Sequence, residues 1–204
     1  MPGAANQGLA KDLRLHLRSA TMAAHDLLDD TMQAASGWQS LEDYAQFLKL
    51  QHAARLPVEQ WLAIHAPDDL RPPVQTSLIM RDLAALKVAA PQPAAAFGLP
   101  AASTGMIIGV AWVLAGSALG NRSILKQMRR ASAGDAREWP SAFLADEAML
   151  VFWQALRQRI EQPASMVEAS CAANAASAVF AHFTSHARCS PEGRTGLRAE
   201  SLTA

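Results

Sequence analysis

Residues 9–35 read LAKDLRLHLRSATMAAHDLLDDTMQAA, and this stretch decides the fold class. Leu13, Leu17, Ala20, Ala24, Leu27 and Leu28 recur at three- and four-residue steps. That spacing places side chains on one face of an α-helix. Alternating β-branched and aromatic runs are scarce elsewhere, while alanine and leucine dominate, as helices prefer. The expectation is an all-α chain of six or seven helices.

The turn Ser36-Gly37 ends the first helix, and Ser40-Leu41-Glu42-Asp43 reads as an N-cap followed by an acidic first turn. Tyr44, Phe47, Leu48, Leu56, Trp61 and Leu62 supply the apolar face of this second helix, which Pro57 is expected to kink or interrupt. Pro72 and Pro73 open a third helix running through Leu78, Ile79, Leu83 and Leu86. Residues 91–100, with three prolines and a glycine, form a loop, and Ser103 caps the apolar helix that follows. That helix continues into Arg122, Lys126, Arg129 and Arg130 and breaks at Gly134. Pro140 or Ser141 starts another, with Phe143, Leu144, Leu150, Phe152, Trp153 and Leu156 on its buried side. Pro163 opens the last, which ends near Arg188. The expected organisation is a flexible N-terminus at 1–8, one helical domain at 9–188 and a disordered tail at 189–204.

Composition bounds the function. The 204 residues suit a single domain, and a hydrophobic fraction of 50% supplies a core. With 18 basic and 18 acidic residues the formal net charge is zero, unlike the basic face of a nucleic-acid binder. Cys171 and Cys189 allow at most one disulfide and are read as inert thiols, and the five tryptophans as core anchors. The N-terminal residues have no apolar stretch typical of a secretory signal, so a cytoplasmic location is expected. The run MIIGVAWVLAGSAL at 106–119 is shorter than the roughly 18 apolar residues of a membrane span, and is read as a buried core helix.

No P-loop, GxGxxG, HExxH or GxSxG motif is present, which removes the best-marked nucleotide enzymes, zinc proteases and serine hydrolases. The remaining chemistry lies in histidines, glycines and one basic cluster. Arg18 and His25, seven residues apart, share a helix face at a separation of roughly 10 Å. A neutral imidazole ligates iron well, and a guanidinium two turns away suits a carboxylate of the same bound molecule. The spacing is equally that of a half-buried or surface histidine. Gly116 and Gly120, one turn apart, cost up to about 1 kcal/mol each against alanine, so the pair admits either a close helix or a flat ligand, and eases a kink. Ser117 between them offers a hydroxyl that can hold a water. His182 and His186 stand at i, i+4, suited to a metal but without a carboxylate at a third-ligand spacing. His16, His52 and His65 have no readable partner geometry. The basic cluster is either a solvated face or a site for an acidic ligand or partner.

Several segments then resemble one family. LRSATMAAHDLLDD at 17–30 is similar to the proximal helix of heme oxygenases, where the axial histidine follows an AT…H pattern with a basic residue two turns earlier. AWVLAGSALGNRSIL at 111–125 resembles the distal helix of bacterial and phytochrome-associated heme oxygenases, typically YVxEGSxLG. YAQFLKLQHAARLPVEQWL, LIMRDLAAL, FLADEAMLVFWQAL and AASAVFAHF are similar to other helices of the family, in order, across about residues 10 to 187.

The resemblance implies a single-domain multi-helix bundle that sandwiches heme between two helices. It makes His25 the axial iron ligand and Arg18 the partner of a heme propionate. Gly116 and Gly120 would let the distal backbone bend over the porphyrin, and Ser117 would order distal water. The implied reaction is oxidative opening of heme to biliverdin, iron and CO. Heme is both substrate and cofactor, with O2 and an external electron donor, a ferredoxin or a reductase, and no bound flavin or nicotinamide. The basic cluster Arg122, Lys126, Arg129 and Arg130 would dock the donor. Four positions depart from the pattern: Ala115 replaces an acid, Trp112 a tyrosine, His186 an aromatic residue and Asn121 a small one. These departures keep two other readings open. One is a sensor or carrier that binds heme or another tetrapyrrole without turnover, and the other is a helical scaffold with a different ligand or a protein partner.

Overall fold

The computed structural model describes residues 9–10, 12–100, 102–135 and 138–189. Of the ends expected to be loose, 1–8 and 189–204, residues 1–8 and 190–204 lie outside the described residues, while Cys189 is the last residue of a helix. The chain is all-α. Six helices carry it: α1 (Leu13–Ala35), α2 (Leu41–His65), α3 (Thr76–Ala85), α4 (Thr104–Ala131), α5 (Ala148–Ile160) and α6 (Met166–Cys189). A single 3-10 turn spans Asp68–Leu70. The extended structure among the described residues is a two-residue antiparallel pairing of β1 (Leu9–Ala10) with β2 (Ala164–Ser165).

Three capping expectations hold. Ser40 Oγ accepts the Asp43 N–H at 3.1 Å, Ser103 Oγ accepts that of Met106 at 3.3 Å, and α1 ends at Ser36. Four boundaries differ from the sequence reading. The first helix starts at Leu13 rather than Leu9, because the Asp12 carboxylate accepts the Leu15 N–H and Leu9–Ala10 pair with β2. The third begins at Thr76, beyond the prolines, where Glu59 takes the N–H groups of Gln75 and Thr76 and the Thr76 hydroxyl. The fifth starts at Ala148, because Asp82 draws the N–H groups of Ala142 and Phe143 into a turn at 2.8 and 2.9 Å. Asp146 then accepts the Met149 N–H at the head of α5.

The fourth difference is Pro57, which neither breaks nor ends α2. Lacking an N–H, it leaves the Ala53 carbonyl without its helical donor. That carbonyl accepts instead from the Ala94 N–H at 3.0 Å, tying the 86–103 loop to the helix. The next carbonyl, that of Ala54, accepts from His182 Nε2 at 3.0 Å. Ala94 thus replaces the missing local donor, His182 adds a second long-range bond beside it, and the helix runs on.

Helix α6 is the spine. Both α1 and α4 pack along it, α2 rests on α3, and α5 lies against α4. The buried alanines Ala169, Ala172, Ala175 and Ala176 keep α6 slim enough for two neighbours. Gly105 and Gly109 bring α4 closest. A Cβ at Gly105 would lie 2.7 Å from the Glu168 carbonyl, and one at Gly109 would collide with the Ala172 carbonyl. Leu13, Leu17, Val58, Leu62, Ile108, Leu114 and Val179 belong to the main core, while Tyr44, Phe47, Ile79, Leu83, Met128 and Phe143 form a second. Helix α4 is long and apolar enough to cross a membrane by length and composition, but more than half of its most apolar stretch is buried in this packing.

Candidate functional site

Both α1 and α4 pack on α6 and touch each other at most marginally. Phe180 of α6 meets a ring from each of them. Its ring meets the His25 imidazole edge to face at 5.8 Å and the Trp112 indole at 6.4 Å. His25 and Trp112 of the distal-type segment of α4, selected separately from the sequence, thus contact one aromatic ring.

His25 sits at the border of the buried face of α1, with its side chain 55% exposed. Its Nδ1 lies 3.4 Å from Asp29 and 3.8 Å from Asp26. Carboxylates there favour the N–H on Nδ1 and leave the Nε2 lone pair, on the other side of the ring, for a ligand. Partial loss of solvent raises the Asp29 carboxyl above its usual range; His25 opposes this, and Asp26 and Asp30 add to it. Arg18 is exposed on the same helix, two turns earlier.

On α4, the glycines divide by role. Nothing lies within 4 Å of a Cβ placed on Gly120, and one on Gly116 would meet only Trp153, at 3.8 Å. The close helix contact belongs to Gly105 and Gly109 instead. The two differ: Gly116 packs beside the Trp153 ring of α5, whereas the backbone at Gly120 borders open space. Trp112, in the same part of α4, has a buried indole Nε1–H with no acceptor. Ala115 is wholly buried in the main core, so an acid there would stand among apolar side chains.

Ser117 is less free than its sequence position suggests. Its hydroxyl donates to the Leu114 carbonyl at 2.7 Å and accepts from Arg55 Nη2 at 3.0 Å. Arg55, on α2, escaped the sequence reading because it stands in an ordinary apolar helix pattern. Its guanidinium is fully buried, with Nε and Nη1 unpartnered, and lies 5.4 Å from the centre of the Phe143 ring. Burial pushes its pKa down, and Glu59 pushes it up.

The remaining candidates go elsewhere. His182 bonds the Ala54 carbonyl, so its Nε2 carries a proton, and it meets Phe97 edge to face. Burial lowers its pKa and that of His186, and the two rings also oppose each other's charge on His186. Among the described residues no group of three His, Cys, Asp or Glu side chains could hold a metal ion. His52 is buried and His65 stacks on Trp61. Cys171 is half-buried and Cys189 exposed, both as free thiols. Of the tryptophans expected as core anchors, Trp61 and Trp139 are buried, whereas Trp38, Trp112 and Trp153 are only partly so. The basic residues Arg122, Lys126, Arg129 and Arg130 line an open cleft of about 640 Å³ together with Leu144, Asp146 and Glu147.

No protein-family model and no curated protein sequence matches the chain. Among solved structures, the fold is similar to that of a heme oxygenase from Neisseria meningitidis, studied in its NO- and CO-bound forms. The TM-score is 0.62 at 22% identity, over 88% of this chain and 92% of that one. The chain has the all-α fold of a heme oxygenase.

Proposed function

We propose that this protein is a heme-degrading monooxygenase that takes heme into a slot between α1 and α4. One observation supports the reading: His25 of α1 and Trp112 of α4, one turn before Gly116, both meet the Phe180 ring, in a chain with this fold. The residues present suit the group. His25 Nε2 would hold the iron, its tautomer set by Asp29. Exposed Arg18 would pair with a propionate, and the bare backbone at Gly116 and Gly120 would admit the flat macrocycle. Phe180 and Trp112 would add apolar contact.

Heme, when bound, supplies both the iron at which O2 is activated and the carbon skeleton that becomes biliverdin, with release of iron and CO. The chain's own work is to bind, orient and enclose. His25 would hold the group from the α1 side, and on the α4 side Ser117 presents a hydroxyl whose orientation Leu114 and Arg55 hold. Electrons come from outside, from a ferredoxin or reductase, with no flavin or nicotinamide bound to this chain. The basic cleft around Arg122, Lys126, Arg129 and Arg130 offers an acidic donor protein a surface. The reading places the protein in the cytoplasm.

A second reading has its own support. Ala115 brings no carboxylate to the site, and Trp112 adds an unpaired N–H where the resemblance expects a tyrosine. Those features suit a protein that holds heme or another tetrapyrrole as sensor or carrier. Adding one equivalent of hemin, then ascorbate or a ferredoxin system under air, separates the readings. A histidine-type Soret band that decays into broad red absorption supports the enzyme. A band that forms and persists supports the carrier. Absence of a band removes both.

A further inference from the structure

We propose that Arg55 is an anion-holding residue on the α4 side of the slot, its guanidinium fastened to Ser117 and its remaining N–H groups reserved for a small anionic ligand. The inference deepens the heme reading in one arm and stands without it in the other.

A guanidinium carries five N–H donors. That of Arg55 is 1% exposed, yet among the described residues it bonds Ser117 Oγ at 3.0 Å and neither Nε nor Nη1 has a partner. The facing helix cannot neutralise it, because α4 contains no Asp or Glu. Glu59, one turn along α2, is the acid that stabilises its charge, but both carboxylate oxygens are engaged by Gln75 and Thr76. Phe143 offers one side of the cation a ring face, which attracts the charge but accepts none of the free N–H groups strongly. Burying a cation with most of its donors unsatisfied is among the costliest arrangements a core can hold.

Ser117 indicates where the missing acceptor enters. Its own proton is committed to the Leu114 carbonyl, so its oxygen accepts from Arg55. It sits one turn from Gly120, where the backbone borders open space. The guanidinium therefore lies one hydrogen bond from the open part of α4. With heme in the slot, the matching ligand would be a small anion taken up beside it on the α4 side. Without heme, it is a free monovalent anion.

Azide serves as the probe for both sources. Its affinity is measured by calorimetry on the ligand-free protein and by optical titration of the hemin-loaded protein, in wild type, Arg55→Met, Arg55→Lys and Ser117→Ala. Loss of a charged hydrogen-bond donor predicts azide binding at least about tenfold weaker in Arg55→Met in both states. Arg55→Lys should retain most of the affinity, and Ser117→Ala, which leaves the core packing in place, should weaken it several-fold. If Arg55→Met does not fold, Ser117→Ala and Arg55→Lys decide. Equal azide affinity in wild type, Arg55→Met and Ser117→Ala, with hemin still bound, overturns the inference and leaves the heme reading intact. A wild type that takes up no hemin but binds azide through Arg55 overturns the heme reading alone. Azide affinity that does not respond to these substitutions in the ligand-free protein, with no hemin bound, removes both.

Discussion

At the scale of single residues, the site is a set of side chains whose neighbours restrict what they can do. His25 has two acids at Nδ1 and an aromatic edge contact with Phe180, so its ring is oriented but still half-exposed. Replacing it by alanine should weaken hemin binding by at least tenfold and abolish the histidine-type Soret band. Thermal stability should change little, since an exposed side chain is lost; a hemin titration with a melting curve reads both. Asp82 is the opposite case. Its carboxyl is buried, and burial raises its pKa despite the two N–H groups of Ala142 and Phe143 that lower it. Asp82→Ala would leave those two donors unsatisfied, at a cost of about 2–4 kcal/mol, measurable by urea unfolding. His25 was legible as a candidate because its spacing from Arg18 is visible in one dimension. Arg55 was not, because nothing in HAARLPVE distinguishes a snorkelling arginine from a buried one.

At the scale of elements, helix α4 carries two glycine pairs with opposite roles. The sequence reading fell on Gly116 and Gly120 and passed over Gly105 and Gly109, although all four have the same spacing. The difference lies in what faces each pair, the α6 backbone for one, and the Trp153 ring and open space for the other. Gly109→Ala should therefore destabilise the protein by about 2–3 kcal/mol, because the Ala172 carbonyl cannot move aside without shifting α6. Gly120→Ala should stabilise it by about 0.5–1 kcal/mol, since the methyl meets nothing and the unfolded chain loses freedom. Thermal unfolding of the two variants tests the signs. Gly120→Leu extends the argument to the slot: the fold should survive, while hemin uptake should fall. The same contextual logic explains Pro57, whose cost to α2 is offset by Ala94 and His182 from segments far along the chain.

At the scale of the whole molecule, the fold holds several histidines away from solvent. Burial lowers the pKa of His52, of His182 and of His186. Each is thus more readily protonated when unfolded, with an ordinary pKa near 6.5. Their contribution is fully present above that value and is lost as the pH falls below it, through the depressed folded-state values. Urea midpoints should be flat from pH 8 to about 7 and decline toward pH 5. Asp82, with its raised carboxyl, acts with the opposite sign, so comparison with His182→Gln isolates the histidine part: that variant should show a shallower acid decline. The direction matters for handling the protein with hemin, which is best done above neutrality.

The sequence by itself determined the helical class, the caps at Ser40 and Ser103, the loop at 91–100 and the candidates His25, Gly116, Ser117 and Gly120. All of these rest on short-range physics: periodicity, caps and the local cost of glycine. Tertiary structure decided which glycines face the α6 backbone, that Phe180 meets both His25 and Trp112, where α3 and α5 begin, and that a buried arginine stands behind Ser117. Those outcomes depend on groups distant in sequence, Glu59 with Thr76, Asp82 with Phe143, Ala172 with Gly109 and Arg55 with Ser117. A hydrogen bond or a steric contact across such a separation leaves no period in the chain, because each partner meets its local rules whether or not the other is near.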